Sequence, residues 1–63
     1  MLALIINEER LIWLDLPIRL EPYGKKLLLN GESIASYKTP ESAKVAFREV
    51  INAIKNEMGY VEI

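Results

Sequence analysis

The 63-residue chain contains neither cysteine nor histidine. The first absence rules out disulfide staples, the second removes the most used acid–base side chain, and together they take away the usual ligands of a structural zinc site. Charge of one sign is not in excess either: eight basic residues stand against nine acidic ones, a net charge of −1, and cutting the chain after Gly31 leaves both halves mixed. No basic tail or face announces nucleic acid or an anionic membrane. Apolar runs are short, well below the roughly 20 residues that cross a bilayer, so no membrane association is expected. Met1 to Ile6, followed at once by Glu8 and Glu9, is too brief for a signal-peptide core. The lack of cysteine fits a reducing compartment, and the cytoplasm is the expected location.

What the chain has in quantity is apolar surface, 51 % of its residues. A single domain of this size sits near the lower limit for independent folding, where one core yields about 3 to 5 kcal/mol. With disulfides and zinc gone, oligomerisation is the remaining device, and a homodimer is the favoured form.

Met1–Ile6 and Leu11–Leu14 are apolar runs joined by Asn7–Arg10, the pattern of a β-hairpin. Pairing Ile6 with Leu11 places Leu2, Leu4, Ile6, Leu11 and Trp13 on one face and Ala3, Ile5, Ile12 and Leu14 on the other, both apolar. Such a hairpin calls for cover on both sides. Pro17 ends the second strand, Ile18–Glu21 reads as a short third one, and Pro22-Tyr23-Gly24 as the turn after it. Asn30-Gly31 is a strong type I′ hairpin signal between Lys25–Leu29 and Glu32–Tyr37. It sets Leu29 opposite Glu32 and Leu27 opposite Ile34, with Leu27 and Ile34 on the core face and Leu28, Ser33 and Ala35 behind. Thr39 is placed as an N-cap, Pro40 as the first helical residue and Glu41 near the positive end of the dipole. Ala43, Ala46, Phe47, Val50, Ile51, Ile54 and Met58 form one stripe, opposite Lys44, Arg48, Asn52 and Lys55. The helix is expected from Pro40 to Glu57, with Gly59 in the left-handed position beyond it and Tyr60–Ile63 as an edge strand or a frayed end.

The expected fold is therefore a single α+β domain, an antiparallel twisted sheet of four to five short strands followed by one C-terminal helix. A helix about 27 Å long and 10 Å wide covers only part of a sheet that spreads 20 Å or more. Either the sheet curls on itself, or its open face meets another chain.

No catalytic residue, cofactor or metal site follows from the sequence. Glu8 and Glu9 read as solvated turn residues, Asp15 with Glu21 offers too few oxygens for a divalent ion, and Ser33, Ser36 and Ser42 have no histidine to activate them. Two classes remain. A non-enzymatic interaction or self-association module uses the doubly apolar hairpin, with Leu2, Leu4, Trp13 and Leu28 as interface candidates. A single-stranded nucleic-acid module uses Arg10, Arg19, Lys25, Lys26 and Lys38 with Trp13, Tyr23 and Tyr37 as stacking surfaces, and interspersed acidic residues oppose it.

NGESIASYKTPESAKVAFREVINAI, from Asn30 to Ile54, resembles small uncharacterised proteins of Firmicutes and their bacteriophages, matching their glycine turn, strand-ending tyrosine, polar cap and alanine-bearing helix at Gly31, Tyr37, Thr39, Glu41 and Ala43. Asn7–Leu16 is similar to their first turn and second strand. The resemblance implies a small sheet-plus-helix fold of phage or prophage origin and brings no activity with it.

Overall fold

A computed structural model describes residues 1–15 and 17–63 of the chain. The order is β1 (Leu2–Ile6), β2 (Arg10–Leu14), β3 (Leu20–Tyr23), β4 (Lys26–Leu29), β5 (Glu32–Ser36), α1 (Pro40–Lys55) and β6 (Tyr60–Glu62). The class is α+β, with two differences from the single antiparallel sheet expected. The strands divide into two three-stranded sheets, β2-β1-β6 and β3-β4-β5, and the helix is not C-terminal, because β6 follows it and pairs parallel with β1. Parallel pairing requires a long crossover, and here everything from β2 through α1 supplies it.

The first hairpin is shifted by one residue from the expected register: Ile6 lies opposite Arg10, Leu4 opposite Ile12 and Leu2 opposite Leu14. The cause is the turn. The Glu9 amide donates to the Ile6 carbonyl at 3.0 Å, and Asn7 and Glu8 both take positive φ, 51° and 58°, so that three residues form the connection. A one-residue slip moves a strand's side chains to the other face. Ile12 and Leu14 consequently join Leu2, Leu4 and Ile6 inside, and Leu11 and Trp13 turn outward.

In the second sheet Asn30 (φ 51°) and Gly31 (φ 89°) form the expected two-residue turn. A bulge then separates Leu28↔Ser33 from Leu27↔Ala35, so Ala35 replaces Ile34 opposite the fully buried Leu27. β3 begins two residues later than expected and includes Pro22, tolerated because β3 is an edge strand, and the turn moves to Gly24-Lys25.

The Ser42 amide donates to Thr39 Oγ1 at 3.1 Å, with Pro40 at the first helical position, as the cap requires. The helix ends earlier than expected, at Lys55. The Met58 amide donates to the Ala53 carbonyl and the Glu57 amide to that of Ile54, a Schellman closure whose left-handed residue is Glu57 (φ 53°) and not Gly59. The helix lies on β3, β4 and β6 with Ala43, Ala46, Val50 and Ala53 buried, while Ile54 and Met58 remain half exposed. The core between the two sheets and the helix is built on Leu4, Leu27 and Val50.

Candidate functional site: an open apolar sheet face and a cleft

Alternation along β1, β2 and β6 sends Leu2, Leu4, Ile6, Ile12, Leu14 and Val61 inward and leaves Ala3, Ile5, Leu11, Trp13, Tyr60 and Glu62 on the other side. No element of the described chain is laid over that outward face, and Trp13, Tyr60 and Leu11 are 60, 56 and 54 % exposed. Trp13 and Tyr60 both pair with Ala3, so two aromatic side chains flank one methyl group across two strand spacings, about 10 Å. Ala3 is buried although it points outward, because its larger neighbours screen it. The shape is a shallow trough with aromatic walls and a single carboxylate, Glu62, at its end.

Of the interface candidates, Leu2 and Leu4 turn inward, away from Trp13; Leu4 is fully buried and has no surface left to offer a partner, and Leu2 keeps only a small exposed edge, at the cleft described below. The one-residue shift of the hairpin is what separates them from Trp13. Leu28 is half-buried on the outward face of the other sheet, between Glu21 and Ser33, away from Trp13. Leu11 and Tyr60 were missed. The first depends on the register, and the second on the β1–β6 pairing.

The nucleic-acid candidates are dispersed. Lys25 and Lys26 stand at the β3–β4 turn and Lys38 is close by, since the Tyr37 amide donates to the Lys25 carbonyl at 2.8 Å. Arg19 lies at the opposite end of that sheet, its amide bonded to Asn30 Oδ1 and its guanidinium 3.8 Å from Glu21. Arg10 belongs to the other sheet. Among the described residues no lysine or arginine shares the Trp13–Tyr60 face. Tyr37 points into the fold, where burial and, secondarily, the Glu49 carboxylate raise its pKa and its hydroxyl has no hydrogen-bond partner.

A second feature opens between the start of β1, the end of β2 and the C-terminus of α1. This cleft, about 430 Å³, is lined by Met1, Leu2, Leu14, Ile18, Ile54 and Met58, with the carboxylates of Asp15 and Glu57 beside them. Its lining holds no lysine or arginine side chain among the described residues. Glu8, Glu9 and Glu21 stay apart from it, and no three acidic side chains of the described residues converge on a metal-sized site. No described helix is long and apolar enough to cross a membrane. Comparison of the chain with family models, curated proteins and solved structures yields no match.

Proposed function

We propose that the chain is a non-enzymatic protein-interaction module that self-associates, as a dimer, through the outward face of β2-β1-β6. The observation that carries this reading is the exposure of Trp13, Tyr60 and Leu11 on one continuous strand surface. Trp and Tyr are the residues that most often anchor interfaces, because they remove a large area from water at a small loss of rotamer freedom. At their present exposure each ring would bury about 100 Å² or more against a partner, which places two facing troughs at the small, reversible end of specific interfaces. The missing cysteine supports the cytoplasm as the site of action, and a phage or prophage origin rests on the resemblance alone.

Sedimentation equilibrium over a wide range of chain concentration tests the proposal. The expected result is a monomer–dimer equilibrium whose dissociation constant rises by about fivefold or more in Trp13→Ala, the equivalent of about 1 kcal/mol. A strict monomer, or a dimer indifferent to Trp13→Ala, would sink it. The nucleic-acid reading draws on the cluster of Tyr23, Lys25 and Lys26 with Lys38 close by; retention of single-stranded DNA at low salt that fades steeply as salt rises would favour it.

A further inference from the structure

The β3–β4 turn and the cleft carry opposite charge, and each pairs that charge with apolar surface. At the turn Tyr23 is 72 % exposed, and Lys25 and Lys26 follow it on the same exposed tip. Gly24, with φ 59°, closes the turn tightly, and beyond its chain neighbours nothing lies within 4 Å of where a side chain on it would begin, so the space beside the turn is open. It is an aromatic knob carrying two cations. The cleft is the converse, an apolar floor from Leu14, Ile18, Ile54 and Met58 with Asp15 and Glu57 beside it. The C-terminal end of α1 adds the negative pole of its dipole to the same place. Methionines suit an acceptor that must shape itself around a ring, because their unbranched side chains repack readily.

The two features cannot meet within one chain. Ile18 of the cleft precedes the start of β3 and the tip lies at the far end of that strand. The helix begins close after the tip, where Tyr37 bonds Lys25, and ends at the cleft. We propose that copies of the chain associate head to tail, the Tyr23–Lys26 tip of one inserting into the Asp15–Glu57 cleft of the next. Such a heterologous contact does not close at two copies and extends into a ring or a chain. It goes beyond the sheet-face dimer and uses different residues, so either contact can fail without the other.

The test uses the full chain with Trp13→Glu, which places a charge in the sheet-face trough and leaves the tip and cleft intact. Sedimentation velocity up to about 1 mM chain should show mass growing past the dimer at low salt and falling back at high salt, where the ion pairs are screened. Adding Lys25→Glu with Lys26→Glu, or instead Asp15→Lys with Glu57→Lys, should weaken this association at least about tenfold, and mixing the two charge-reversed proteins should restore it. Tyr23→Ser, neutral and at an exposed site, should produce the same loss as the lysine changes. A Trp13→Glu chain that stays monomeric throughout, reversed variants that associate as well as their parent, or a mixture that fails to recover would each overturn the proposal. So would a monomer that binds single-stranded DNA through Lys25 and Lys26, which would assign the tip to nucleic acid.

Discussion

Tyr37 shows what one side chain can hold against the stability of its own fold. Its hydroxyl is buried without a partner, and an unsatisfied polar atom costs about 1 to 3 kcal/mol. Tyr37→Phe is therefore expected to keep the ring's packing and raise stability by about 1 kcal/mol in urea unfolding; a loss of similar size would mean that the hydroxyl is bonded. The direction of its pKa shift adds a pH test. Since burial, reinforced by Glu49, raises the folded-state pKa above the ordinary tyrosine value of 10.0, the unfolded chain gives up this proton first as pH rises. Stability should be unaffected by Tyr37 below about pH 10 and should fall above it, and Tyr37→Phe should remove that part of the alkaline loss. Glu57 is a second self-imposed cost, a branchless but Cβ-bearing residue in the left-handed position that ends the helix. Glu57→Gly should raise stability by about 0.5 to 1 kcal/mol, measured on dilute chain so that association does not enter.

At the scale of the elements, local chemistry was legible and non-local chemistry was not. Asn30-Gly31 and Thr39-Pro40 specify their own backbone geometry within a few residues, and both the turn and the cap stand where the sequence puts them. Thr39→Ala should accordingly lower stability by about 1 kcal/mol, read from the urea midpoint, while Thr39→Ser should not. The first hairpin was misread because Glu8 gives no sign that it will adopt a positive φ, and the three-residue turn that results reverses the facing of β2. The bulge at Ile34 puts the buried Ala35 opposite the buried Leu27, and no turn or cap residue nearby announces it. The open trough was half legible for the same reason: Trp13 stands out as the only tryptophan, whereas Tyr60 becomes its neighbour only through pairing with the strand at the other end of the chain.

For the whole molecule, the apolar excess is divided between a small shared core and the surface. Among the described residues five alanines are buried, but only Leu4, Leu27 and Val50 are large side chains fully removed from water. A core this lean leaves little reserve, so Leu27→Ala, at about 2 to 5 kcal/mol, should leave much of the chain unfolded at 25 °C by circular dichroism. If the exposed remainder is shared between copies, the thermal midpoint must rise with chain concentration, and Trp13→Ala should flatten that dependence. The β1–β6 pairing carries a different consequence, one of timing. The ribosome delivers β1 well before β6, and Ala3 cannot meet Tyr60 until the intervening chain exists. Hairpins form in microseconds, but a parallel pair this far apart must wait for the loop between its strands to be gathered. Until that loop is gathered one edge of the most buried strand stays open, and the arrival of β6 decides whether that edge is closed by its own chain or by a stranger's.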